Sequence, residues 1–104
     1  MKCIAVVMAM ASEASPILTQ LGAQAIPAVP LMPFKFFEAN RNGCRVIISV
    51  NGRDRRHGVD SIGTEAAALN TYFVADRYNP DLLITAGTAG GWMHQGSEIG
   101  DVYV

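Results

Sequence analysis

A carboxylate at the start of a helix and a hydroxyl inside a glycine loop are the groups in this sequence best suited to handling a water molecule beside a ligand. The carboxylate is Glu13, which follows Ala9-Met10-Ala11-Ser12 directly after the first apolar run. A helix N-terminus favours the ionised, proton-accepting form, so Glu13 could orient or deprotonate a water. The same residue type also serves simply to stabilise a helix end. The hydroxyl is Thr88, within Gly87-Thr88-Ala89-Gly90-Gly91. Small residues there let the backbone approach a ligand closely and leave amides free to donate. The spacing is neither that of a dinucleotide fingerprint nor that of a P-loop, and such a cluster alone fits a plain tight connection equally well.

Other segments carry weaker chemistry. Arg53-Asp54-Arg55-Arg56-His57 gathers three of the eight basic residues, enough to contact a phosphate, but Asp54 dilutes the charge and a solvated loop is the commoner role of such a run. Met8 and Met10 could line a soft apolar pocket or fill a core. Trp92, just beyond the glycine loop, fits a lid or a partly buried anchor. His57 and His94 have no partner spacing that points to a metal, and none is expected. Cys3 and Cys44 sit in apolar segments without Cys-x-x-Cys spacing, which fits free thiols in a reducing, cytoplasmic setting.

The elements that must position these groups alternate between strand and helix. Cys3 to Met8 is a nearly continuous apolar run rich in β-branched residues, which predicts a strand buried on both faces. Ser12 is the expected N-cap of a helix carrying Ile17, Leu18 and Leu21 on its apolar face, tolerating Pro16 in about its first turn and stopping at Gly22. Ala23 to Pro33 reads as a loop punctuated by three prolines, with Ile26, Val29, Leu31 and Met32 available to pack on the core or on a second subunit. Phe34 to Ala39 and Cys44 to Val50, separated by Asn42-Gly43, predict a β-hairpin. A polar stretch to Asp60 precedes a second helix expected from near Ser61 to Asn79-Pro80, with Ala66, Leu69, Phe73 and Tyr78 facing inward. Leu82 to Thr85 predicts a short buried strand leading into the glycine loop, and Asp101 to Val104 the start of one more. Strand, helix, strand and glycine loop make an α/β unit, whose ligands gather at the carboxyl ends of the strands.

Composition bounds the function classes. Half of the 104 residues are hydrophobic and 16% are charged, which is the balance of a packed core. A net charge of −1 supplies no long-range positive field for nucleic acid or an anionic membrane. The apolar start is interrupted by Glu13, so neither a signal peptide nor a membrane anchor is expected.

Taken in order, Ala9-Met10-Ala11-Ser12-Glu13, then Gly52-Arg53-Asp54 leading to Gly58-Val59-Asp60-Ser61-Ile62-Gly63-Thr64, then Ala86-Gly87-Thr88-Ala89-Gly90-Gly91 and Ile99-Gly100-Asp101-Val102, resemble the amino-terminal half of the 5′-methylthioadenosine/S-adenosylhomocysteine nucleosidases, the plant type above all. The resemblance implies an α/β fold of the nucleoside phosphorylase type, a mixed sheet flanked by helices and here truncated, with residues 1–104 forming the amino-terminal part of one domain. It also implies a homodimer, or assembly with a complementary carboxyl-terminal chain, and hydrolysis of an adenine N-glycosidic bond without a cofactor. Glu13 would activate the attacking water, Thr88 would lie beside that water and the ribose, Ala89 and Gly90 would supply close-packed backbone, and Met10 would border the site. In the family the acid that protonates adenine lies in the carboxyl-terminal half. Two other functions remain in view, a nucleoside-binding or storage-like protein without turnover, and a nucleoside phosphorylase. The glycine-rich phosphate loop of the phosphorylases is replaced here by Ala9 to Glu13.

Overall fold

A computed structural model describes residues 1–104. The elements run β1 (Cys3–Met8), α1 (Ala11–Leu21), β2 (Gln24–Ala25), β3 (Lys35–Arg41), β4 (Cys44–Val50), α2 (Thr64–Tyr78) and β5 (Leu82–Thr85), followed by a single 3-10 turn at Met93–Gln95. Five strands form one mixed sheet in the order β2-β3-β4-β1-β5, with β1 parallel to both β4 and β5 and the β2-β3-β4 side antiparallel.

The two sides of the sheet follow from strand alternation. Ala5 and Val7 of β1 join Phe34, Phe36, Ile47 and Val74 in the cluster under α2. Met8 joins Ala14, Ile48 and Val50 in the cluster under α1. Phe36 is the largest fully buried side chain. Its ring stacks on Phe73 at 5.4 Å between centroids and meets Tyr78 edge-on at 5.8 Å. The hairpin has its turn at Asn42 and Gly43, with φ of 52° and 77°, the left-handed pair that matches the twist of the strands it joins.

Several expectations are corrected. Helix α1 begins at Ala11 and its N-cap is Met10, not Ser12, because Glu13 at the third helical position reaches back to the Met10 N–H at 3.2 Å. Pro16 is therefore the sixth helical residue; it is exposed, as is Ser12, whose carbonyl loses its donor toward solvent. Helix α2 starts at Thr64, after Gly63. Its inward face is Asn70 and Val74, with Phe73 and Tyr78 packing at the margin, whereas Leu69 is 64% exposed. The stretch from Ala23 to Pro33 is not all loop, since Gln24–Ala25 pairs with β3. Within it Ile26 and Val29 pack on the core while Leu31 is exposed. Strand β5 pairs on one side only, so it is an open sheet edge, and Leu82 and Ile84 are each 40% exposed instead of buried. Residues 101–104 form no strand.

Gly52 sits where β4 gives way to the polar stretch. Its φ is +83°, and a Cβ there would lie 1.9 Å from the carbonyl oxygen of Pro33. Gly52→Ala is expected to destabilise the fold by about 1–3 kcal/mol, since backbone must move to admit the methyl group and the left-handed conformation strains it. A lowered midpoint in chemical denaturation would show this, and an unchanged midpoint would refute it.

Candidate active site

The exits of β1 and β5 lie side by side, because the two strands are parallel neighbours, and each carries one of the groups singled out from the sequence. From the β1 exit, the extended Met10 turns the chain into α1 and brings Glu13 onto the first helical turn. From the β5 exit, Ala86 and Gly87 lead to Thr88. Glu13 Oε1 accepts hydrogen bonds from the Thr88 backbone N–H at 2.9 Å and from the Thr88 hydroxyl at 2.8 Å. Its other oxygen, Oε2, accepts the Met10 N–H at 3.2 Å. A Cβ on Gly87 would lie 3.4 Å from Oε1, so glycine gives the carboxylate room to lie against the loop.

The Thr88 N–H, more than any other group, holds the Glu13 carboxyl below the ordinary glutamate range. Burial opposes this, and the Thr88 hydroxyl and the N–H groups of Met10 and Ala9 reinforce it. Donors aimed at the charged form favour it. Because the folded-state pKa is depressed, the contribution of Glu13 to stability is present above its unfolded-state pKa and is lost as pH falls through the folded value. Thr88→Val keeps the backbone donor and removes the hydroxyl. It is expected to raise the Glu13 pKa part of the way to the ordinary value and to shrink that acid-sensitive contribution. A carboxyl-carbon NMR titration of the two proteins measures the shift, and identical titration curves would count against it.

Beside Thr88 lies a cavity of about 290 Å³. Its walls are the β1 exit through Met8 and Ala9, the β5 exit through Ala86 to Thr88, helix α2 through Ala67 and Thr71, and Asn51. None of the ten lining residues titrates in the physiological range. A larger hollow, about 660 Å³, shares Gly87 and Thr88 with that cavity and is completed by Ala89, Gly91 and the segment from Met93 to Tyr103, including Glu98 and Asp101.

Glu13, Met10 and Thr88 are thus brought together by direct hydrogen bonds. Ala89 lies at the larger hollow, and Gly90 is not close-packed, since a Cβ there would meet nothing within 4 Å. Its exposed position in the loop is the reason. Arg53, Arg55 and Arg56 are all exposed, and Asp54 binds the His57 ring at 3.0 Å and accepts the Arg56 N–H at 2.7 Å. The charge run therefore closes on itself as a turn. Trp92 is exposed with His94 edge-on to its ring. Asn51 and Thr71 escaped the sequence reading, although an asparagine ending the apolar run of β4 was a visible signal of a polar group carried into the core.

Comparison with known proteins follows the same outline. The family model described as the phosphorylase superfamily matches residues 3–104. The chain belongs to the phosphorylase superfamily. Among relatives within it, a 5′-methylthioadenosine nucleosidase of Arabidopsis thaliana is 35% identical over 101 residues, covering 94% of this chain and 38% of the relative. A 5′-methylthioadenosine/S-adenosylhomocysteine nucleosidase of the same plant is 36% identical over 104 residues, covering 97% and 41%. The solved apo structure of the Arabidopsis 5′-methylthioadenosine nucleosidase superposes with a TM-score of 0.91 at 31% identity, over 96% of this chain and 42% of the other. This superfamily member therefore spans about two-fifths of the length of the relatives it matches. The mixed α/β fold of the nucleoside phosphorylase type is shared with them. No helix is long and apolar enough to cross a membrane.

Proposed function

We propose that this chain forms the water-activating part of a nucleosidase that cleaves the adenine N-glycosidic bond of 5′-methylthioadenosine, and of S-adenosylhomocysteine where the 5′ pocket admits it. The observation that carries the reading is the Glu13 carboxylate, held ionised by Thr88 at the carboxyl ends of two parallel strands. In the hydrolysis the C1′–N9 bond breaks as the sugar gains oxocarbenium character, water adds to C1′, and its proton passes to a carboxylate. A glutamate with a depressed pKa is a weak base toward bulk water. Beside a cationic sugar the attacking water becomes strongly acidic, so such a carboxylate both steers it and accepts its proton late, while its charge stabilises the cation. Thr88, Ala89 and Gly90 would border the ribose, with Met10 at the rim.

Adenine must be protonated as it leaves, and the 290 Å³ cavity offers no titratable group to do so, whereas Glu98 and Asp101 line the larger hollow. The acid would come from a complementary carboxyl-terminal chain, with residues 1–104 as the amino-terminal part of a shared domain. A second copy of the chain, giving a cytoplasmic homodimer, belongs to the same reading, as does a place in methionine and purine salvage. The test is adenine release from 5′-methylthioadenosine by the chain with and without a carboxyl-terminal complement, each with and without phosphate. Release that needs the complement and ignores phosphate is expected. A strict phosphate requirement would make the protein a phosphorylase. Nucleoside binding with no turnover under any condition would make it a binding protein.

A further inference from the structure

Helix α2 carries two candidate inward stripes displaced by one residue. One is Ala66, Leu69 and Phe73; the other is Ala67, Asn70 and Val74. The first contains leucine where the second contains asparagine, so apolar burial alone would choose the first. The fold buries Asn70 and Val74 of the second completely and leaves Leu69 of the first 64% exposed, with Phe73 of the first half-buried in its stack on Phe36. Converting one arrangement into the other takes a turn of about 100° around the helix axis, one residue's worth.

What distinguishes the observed arrangement is a buried polar chain. The Ser49 hydroxyl donates to Asn70 Oδ1, Asn70 Nδ2 donates to Asn51 Oδ1 at 2.9 Å, and Asn51 Nδ2 donates to the Ser61 carbonyl at 2.9 Å. Ser49, Asn51 and Asn70 are each at most 1% exposed. Turning Asn70 away would leave both Ser49 and Asn51 without their partner in the core, a combined cost that opposes the burial of one leucine, and hydrogen bonds are directional where hydrophobic packing is not. We infer that Asn70, read by Ser49 and Asn51, is the positioning residue that sets the rotational register of α2 on the sheet.

The consequence for the site follows from the cavity walls. In the observed register α2 presents Ala67 and Thr71 to the cavity beside Thr88. One residue of rotation would bring Ala66 and Asn70 to those places and turn Thr71 away. Asn51 couples the same chain to the β1 exit, because its backbone N–H donates to the Met8 carbonyl at 3.3 Å. The functional consequence rests on the proposed nucleosidase reading; the register itself does not, and its test needs no activity.

The test removes both readers while keeping the key, as Ser49→Ala with Asn51→Ala, and follows two cysteine probes on α2, Leu69→Cys and Val74→Cys, by maleimide labelling resolved by peptide mass spectrometry from Cys3 and Cys44. With the readers present, position 69 labels quickly and position 74 slowly. Without them, burying an unpaired Asn70 is disfavoured, so position 69 should slow and position 74 should quicken, each by about tenfold. Unchanged rates at both positions would overturn the inference. Quickening at both signals unfolding, and the exchange variant Leu69→Asn with Asn70→Leu then decides. It retains Ser49 and Asn51 and moves the key by one residue, so position 74 should become reactive in a chain that still melts cooperatively. A protected position 74 there would show that packing, including the Phe73 stack on Phe36 that these variants leave intact, sets the register.

Discussion

Glu13→Gln is expected to reduce adenine release by about 10²–10⁴-fold in the complemented protein, the range over which a positioned acid or base contributes. The substitution is nearly isosteric, and a glutamine Oε1 can still accept both bonds from Thr88, which span 75 residues of sequence and fasten the two strand exits together. The fold should therefore survive with a small loss at the Met10 N–H, where an amide NH2 would face a donor. A melting temperature close to the parent's, combined with the collapse of kcat, separates a chemical role from a structural one. Release within a few-fold of the parent would remove Glu13 from the mechanism. Glu13→Asp supplies the intermediate case: the charge stays, but the shorter side chain withdraws from Thr88, and kcat should fall more than KM rises.

Phe36→Ala should be the most damaging core change, costing about 3–5 kcal/mol through the cavity and the lost contacts. Phe36 is almost completely buried in β3 and touches Phe34, Phe73 and Tyr78, so it ties the antiparallel side of the sheet to α2. Against a total stability of about 5–15 kcal/mol for a domain, this loss places the variant near or beyond unfolding at physiological temperature. Thermal denaturation by circular dichroism would show it, and a melting temperature within a few degrees of the parent's would contradict it.

What the sequence disclosed about the fold tracks how local each signal is. Cys3 to Met8 announces its strand through a run of apolar and β-branched residues, and Asn42-Gly43 announces the hairpin through its own backbone preference. Gly22, with φ of 61°, ends α1 where expected. The start of α1 is set by Glu13 reaching back to Met10, and the serine two residues on is a better cap only in isolation. The face of α2 has a longer-range cause: Leu69 looks inward by hydrophobicity, while Asn70 is bonded by Ser49 on β4 and by Asn51 just beyond that strand. Strand β2 has two residues and exists only through its pairing with β3. For the site, Glu13 and Thr88 were each visible as residue types in suggestive segments. Nothing within either segment specifies that one binds the other, and only the parallel pairing of β1 with β5 brings them within hydrogen-bonding distance. Asn51 and Thr71 became wall residues through the placement of α2, which no local pattern encodes.

The unpaired side of β5 bears on how this protein behaves at high concentration. Leu82-Leu83-Ile84-Thr85 contains no charge and no proline, and the neighbouring Asp81 is occupied at the amino end, accepting the N–H groups of Lys2 and Cys3. Natural edge strands are usually blunted by lysine, proline or a bulge; this one has no such gatekeeper within it. Exposed in solution it is a template on which a like strand from another molecule can add, and the first step of aggregation would be edge-to-edge addition at residues 82–85. A single lysine in place of the half-exposed Ile84 would oppose that addition by charge repulsion.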